Sequence, residues 1–215
     1  VIFEYINQKR GDIPLKKEMV AAGLVSLILF ITTVQYCWLT AFSDVEPVLA
    51  SWLLFTVVTS SNWLTYWSSP KRSIVHNIGL VSSCISIWII TSTILVSGFF
   101  LGKNIRLGFT QFEIICFLVS AVILLWWKYT KEYEIPNYAF QVLTLIAWFP
   151  LYIHLWFTPR NTEPFSLWLV QLVVTGISII PAVVGKDKFA IINSVRGFLC
   201  VVCILLLMIR FELFH

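Results

Sequence analysis

A carboxamide inside an apolar helix must find a partner, because an unsatisfied polar group in hydrocarbon costs several kcal/mol. Asn77 and Asn193 pose that problem twice, in apolar stretches, at positions 116 residues apart (193 − 77). A carboxamide donates and accepts at once, so two that face one cavity suit a polar solute bearing hydroxyl or amide groups. The competing use is helix-to-helix glue, which stabilises membrane bundles by about 1 kcal/mol. Trp63, with Asn62 beside it, offers an indole face for a sugar ring or planar heterocycle, and equally suits an interfacial anchor. Arg196 follows Asn193 by one helical turn on the same face. It could hold an anionic solute or counter-ion, or snorkel to headgroups about 10 Å away.

Four further polar residues, Ser178, Thr59, Thr175 and Gln171, could add hydrogen bonds, although Ser and Thr in membrane helices often bond only the preceding turn. Glu113 is expected to be the one acidic residue well inside a helix, as a protonatable coupling group or as a residue of the outer interface. Pro150 and Pro181 are expected in mid-helix, where the ring frees a carbonyl and bends the axis, giving a hinge or a fixed kink. The five cysteines all fall within apolar runs, and an odd count there reads as packing residues, with no metal-ligand set.

These residues sit on an internal repeat. Trp52, Leu53, Val57, Val58, Thr59, Asn77 and Cys84 recur as Trp168, Leu169, Val173, Val174, Thr175, Asn193 and Cys200 without a gap. Just upstream, Glu46-Pro47 recurs as Glu163-Pro164. Ala21, Ser26-Leu27-Ile28 and Trp38-Leu39-Thr40 correspond to Ala139, Thr144-Leu145-Ile146 and Trp156-Phe157-Thr158, at a spacing of 118 (139 − 21). Matched Val and Leu carry little weight, whereas Trp, Thr, Asn, Cys and the Glu-Pro pair make chance a poor account. The repeat unit is three helices.

At 59% hydrophobic and 12% charged, the 215 residues are far too apolar for a soluble domain. A membrane core takes about 20 apolar residues in a helix. By that ruler there are seven spans: Met19–Thr40, Val48–Trp67, Ile74–Leu101, Leu107–Trp127, Asn137–Phe157, Phe165–Val184 and Phe189–Ile209. The third is long enough to tilt or to kink at Gly98. The first run is longer than a signal peptide core and reads as a retained anchor.

The expected fold is therefore an all-α membrane protein in a 3+1+3 arrangement. Residues 1–18 form an amino-terminal segment, 19–101 a first triple-helix bundle, 102–134 the linker helix, 135–209 a second bundle and 210–215 a short tail. One inserted span restores direction, so the two triplets run parallel about a pseudo-two-fold axis along the membrane normal. One side carries Lys9, Arg10, Lys16, Lys17, Lys71, Arg72, Lys128, Lys131, Lys186 and Lys188; the other carries Lys103, Arg106, Arg160 and Arg210. The positive-inside rule then places the amino terminus in the cytoplasm and the chain in a plasma or inner membrane.

This pattern resembles the SWEET sugar transporters and the wider PQ-loop superfamily, whose half-size members are the SemiSWEETs. Asn77 and Asn193 fall where that family places its paired substrate-binding asparagines. Ala147-Trp148-Phe149-Pro150-Leu151-Tyr152, followed by Thr162-Glu163-Pro164-Phe165-Ser166-Leu167-Trp168, is similar to a PQ-loop segment, with Leu151 in place of the Gln. The resemblance implies solute binding near the midplane by Asn77, Asn193 and Trp63, with triplets rocking about Pro150 and Pro181. The chain departs from the family at Thr32-Thr33, where Pro-Gln might stand, and at Ile179, the repeat mate of Trp63. The inferred cytoplasmic amino terminus also differs from family members of the plant type.

The leading expectation is a facilitative carrier for a sugar or similar polar metabolite, working by alternating access without a cofactor. A carrier of vitamin or nucleoside precursors of the Pnu type competes, since ten tryptophans are available to stack on a heterocycle. A non-transporting seven-helix receptor is the alternative of a different class; a retinal protein is excluded because Phe189–Ile209 holds no lysine for a Schiff base. Enzyme chemistry finds no HExxH, no GxSxG and no intramembrane Asp pair. A channel lacks a ring of acidic or carbonyl-rich loop residues. The expected partners are a small polar solute and the lipid bilayer, with no nucleic acid, and a homo-oligomer is left open.

Overall fold

Backbone N–H and C=O groups in hydrocarbon have no water to bond, so the apolar runs close their hydrogen bonds internally as helices, even where Val and Ile are frequent. The computed structural model describes residues 12–42, 47, 49–70, 72–100, 102, 109–157 and 165–214, with side chains for all of these except 12–16, 154 and 211–214. Lys9, Arg10, Lys71, Lys103, Arg106, Arg160, Glu46, Glu163 and Pro164 lie outside the described residues.

The helices are α1 (Asp12–Phe42), α2 (Leu49–Trp67), α3 (Ile78–Phe100), α4 (Gln111–Thr130), α5 (Glu134–Ala147), α6 (Phe149–Phe157), α7 (Phe165–Val184) and α8 (Lys188–Phe214). Six stretches are long and apolar enough to cross a membrane: Lys17–Phe42, Ile78–Phe100, Gln111–Thr130, Glu134–Phe157, Phe165–Val184 and Lys188–Arg210. Large apolar side chains such as Trp38, Phe99, Leu118 and Val122 point outward on them. The chain is a multi-pass, all-helical membrane protein. The expected second span, α2, has the length at 19 residues but not the hydropathy, because it contains Ser51, Thr56, Thr59, Ser60, Ser61, Asn62 and Thr65, all of them buried or half-buried.

Several boundaries differ from the expectation. Residues Ile74 to Asn77 form a turn, so Asn77 stands immediately before α3 and not inside a span. Its carbonyl accepts the first helical bonds of α3, from Leu80 N–H and Val81 N–H. The fifth span is two helices broken at Trp148, and Pro150 lies in the first turn of the second. The missing proline N–H costs nothing there, so Pro150 marks a break and is not a mid-helix residue. Pro181 does lie inside an unbroken helix, α7. Gly98 lies within α3, which runs without a break. Helix α5 begins at Glu134, inside the segment assigned to the linker, and α1 begins at Asp12, inside the amino-terminal segment.

Packing follows polar seams between apolar faces. Helix α3 lies between α1 and α2, and α8 lies between α7 and the broken rod α5–α6. The two groups meet where α1 packs on α7 and α2 on α5, with α3 touching α7 and α8 in the middle. Helix α4 lies outside, against α2 and α5. Hydroxyls stitch the first group: Ser26 to Ser82 at 3.1 Å, Thr33 to Ser86 at 2.8 Å and Thr56 to Thr91 at 2.9 Å. Gly79 lets α3 approach α7, since a Cβ there would come within 3.2 Å of Ser178.

Three connections lie at the end of the bundle that carries Arg72, Lys131 and Lys186. The α7–α8 turn needs only residues 185–187. Lys186 takes the left-handed conformation (φ 51°), its N–H bonds Val183 O, and Asp187 N–H reaches back to Ala182 O. This is a Schellman ending. Asp187 at once caps α8, its Oδ1 accepting from Ala190 N–H at 3.1 Å.

Candidate functional site

Buried polar side chains converge just inside that basic end. Asn193 Nδ2 donates to Asn77 Oδ1 at 3.4 Å, and Arg196 donates through Nη2 to Asn193 Oδ1 at 2.7 Å. Arg196 Nη1 reaches the Gln141 carbonyl at 3.2 Å. The Gln141 side chain donates to Asn62 Oδ1 at 3.4 Å, beside Asn137 Nδ2 at 3.0 Å. One network thus runs from the start of α3 through α8 and α5 to α2. Asn62, Asn77 and Asn137 are fully buried, and Gln141 and Asn193 nearly so.

Helix periodicity explains the placement. Asn137 and Gln141 are one turn apart on the face of α5 that α2 covers, and Asn193 and Arg196 are one turn apart on α8. With a rise of about 1.5 Å per residue, Gln141 and Arg196 lie about 10–12 Å from the starts of their helices. Neither Arg196 nor any carboxamide has an acidic partner among the described residues. A guanidinium held only by neutral acceptors in such surroundings keeps a desolvation cost of several kcal/mol that no counter-charge offsets.

Several polar atoms of the network have no protein partner among the described residues: Asn62 Nδ2, Asn77 Nδ2, Asn137 Oδ1, Gln141 Oε1 and Arg196 Nε. The same is true of Trp63 Nε1, whose ring packs on Tyr66, Leu80 and Phe189 and stacks on Trp67 at 5.9 Å. Six such groups gather in one region, where each calls for a partner.

Aromatic rings and a turn-to-turn latch bound the network along the bundle axis. Away from the basic end, Tyr36–Trp52 (5.2 Å), Phe55–Trp148 (5.2 Å) and Trp148–Trp168 (5.8 Å) join α1, α2, the α5–α6 break and α7. Tyr152 donates to Cys200 O at 3.2 Å, one turn beyond Arg196. At the basic end, the buried Tyr66 hydroxyl donates to Asp187 Oδ2 at 2.6 Å and accepts from Ser73 N–H at 2.8 Å. His76 approaches Glu18 of α1 at 3.6 Å, and its ring fills the space where a Cβ on Gly185 would sit. Two open grooves, of about 470 and 310 Å³, flank Trp88 on the outward face and do not reach the network.

The fold brings together Asn77, Asn193, Asn62 and Arg196, with Trp63 on the neighbouring face. Ser178 is not among them. Its hydroxyl bonds the carbonyl of Thr175 at 2.7 Å, and its own carbonyl accepts from Ser194 at 3.3 Å. Glu113 is not well inside a helix. It is the third residue of α4, in a capping box with Thr110, and its Oε1 accepts from Ser51 of α2 at 2.8 Å. Asn137, Gln141, Tyr66 and Asp187 were missing from the sequence reading. The one-turn spacing of Asn137 and Gln141 in an otherwise apolar helix could have found the first pair.

Comparisons of the chain with family models, curated proteins and solved structures found no match.

Proposed function

We propose that the chain is a seven-span carrier for a small polar solute, built as 3+1+3 on a SWEET-like plan and working by alternating access. In this reading α2 also crosses the membrane, which brings the spans to seven, and its polar residues turn to the solute path. The reading is carried by one observation: Asn77 and Asn193, repeat mates from two halves of the sequence, meet at 3.4 Å between the two halves of the bundle, just inside its basic end. The packing order supports it. The third helix of each triplet lies between the first two, and the contact of α1 with α7 has its two-fold mate in that of α5 with α2. Trp52 and Trp168, also repeat mates, each pack into an apolar cluster of their own triplet.

The solute site is the carboxamide network, closed toward one side by the aromatic rings and toward the other by Tyr66 and Asp187. Alternate opening of these two closures, with the α5–α6 break beside Pro150 and the Pro181 bend as hinges, moves the solute across. Positive-inside orientation puts the basic end in the cytoplasm. Flux into liposomes, measured with sugars, amino acids and nicotinamide riboside, tests the proposal. Asn193→Ala removes the bonds to both Asn77 and Arg196 and is expected to lower the flux at least about tenfold. Unchanged uptake by that variant refutes the site, and binding without flux favours a receptor.

A further inference from the structure

The hydrogen-bond directions in the network are fixed by two groups that cannot be reversed. Arg196 only donates, so the atom it meets on Asn193 is the oxygen, and Asn193 must present its NH₂ to Asn77. Asn77 then accepts through Oδ1 and keeps Nδ2 as a free donor. On the other flank the Asn62 backbone carbonyl only accepts, and Asn137 Nδ2 lies 3.3 Å from it. Asn137 Oδ1 is therefore a free acceptor. Asn62 Oδ1 receives Asn137 and Gln141, which leaves Asn62 Nδ2 free to donate and Gln141 Oε1 free to accept.

The remainder is a half-buried positive charge with spare enclosed N–H donors, Arg196 Nε, Asn77 Nδ2 and Asn62 Nδ2, and two neutral acceptors on α5. We propose that the network is an anion site that takes a small monocarboxylate carrying a hydroxyl group. The carboxylate pairs with Arg196 and Asn77, and the hydroxyl group bonds Asn137 and Gln141. A single guanidinium balances one negative charge. A phosphate monoester, at about −1.5 to −2, would leave charge over in a buried site. A neutral sugar would leave the cation uncompensated. This deepens the carrier reading and rests on it for the transport step alone.

The test uses the full chain, purified in detergent for ligand-induced thermal shift and reconstituted in liposomes for counterflow. The probes are lactate, serine, inorganic phosphate, chloride and glucose. Lactate is expected to stabilise the protein and to exchange, well ahead of serine, whose ammonium brings a second positive charge, and Arg196→Gln to weaken that binding about tenfold or more, with Arg196→Lys in between. Asn77→Asp provides a second reading if the Gln variant does not fold. It supplies the counter-charge from within, and should raise thermal stability while abolishing the lactate shift. Glucose binding without carboxylate binding overturns the anion site and leaves the carrier standing. Carboxylate binding without flux upholds the site and overturns the carrier. A response to serine, phosphate or chloride alone, no response to any probe, or lactate binding unchanged in both Arg196→Gln and Asn77→Asp, overturns the inference.

Discussion

Tyr66→Phe is the sharpest test of the latch at the basic end. The hydroxyl it removes is buried and makes two bonds, one to the Asp187 carboxylate at 2.6 Å and one from Ser73 N–H at 2.8 Å. A bond to a charged group contributes about 1.5–3 kcal/mol and a neutral one about 0.5–1.5 kcal/mol, so the loss should be about 2–4 kcal/mol. Asp187→Ala removes the same Tyr–Asp bond and also the α8 cap, about 1 kcal/mol. In that variant the Tyr66 proton can turn to the Ser73 carbonyl, 2.9 Å away, which recovers part of the loss. Tyr66→Phe should therefore cost at least as much as Asp187→Ala. The double variant should fall short of the sum by about 1–3 kcal/mol, because the shared bond is lost only once. Unfolding in mixed micelles by titration with dodecyl sulfate, followed by fluorescence of the ten tryptophans, gives all four stabilities. Effects that add to within about 0.5 kcal/mol would show that the hydroxyl and the carboxylate are not energetically joined.

Two further variants probe positions where the structure gives a purely mechanical reason for the residue. Glu113→Ala should destabilise by about 2–3 kcal/mol, since it opens the capping box and strands Ser51, whereas Glu113→Gln should cost less than about 1 kcal/mol. Neither should alter the pH profile of solute flux per folded molecule, and a shifted profile in Glu113→Gln would restore a coupling role. Gly185→Ala drives a methyl to within 2.4–2.5 Å of the His76 ring and should cost about 1–3 kcal/mol. Adding His76→Ala should recover most of that loss; a double variant as unstable as Gly185→Ala alone would mean the clash is elsewhere.

Two of the carboxamides legible in the sequence were those the duplication displays, while Asn62 was named only as the neighbour of Trp63. Asn77 and Asn193 stand out because each certifies the other, and Arg196 because a cation in an apolar run is conspicuous. Asn137 and Gln141 were not, since their repeat positions hold Met19 and Gly23 and the polar half of the site has no mate. Their one-turn spacing was visible but is weak in a helix that also needs polar glue. Glu113 was misplaced because the apolar run beginning at Leu107 hides the start of α4, although Thr110-x-x-Glu113 spells a capping box. Asn77 was set inside a span for the same reason: a continuous apolar run does not reveal where the chain turns before the helix starts. The α5–α6 break follows from Pro150, but only coordinates show that the rod separates at Trp148. The Tyr66–Asp187 bond joins residues 121 positions apart, and no local pattern announces it.

The three-residue turn between α7 and α8 has a mechanical consequence. With a Schellman ending on one side, a carboxylate cap on the other and no slack between, α7 and α8 can neither slide nor splay apart at that end, and behave as one stiff hairpin. Any large displacement must then be accommodated along seams with no such short tether. Those are the line where the hairpin meets α1 and the line where α2 meets α5, so, besides flexing at the α5–α6 break and at Pro181, this bundle moves along surfaces between chain segments far apart in sequence.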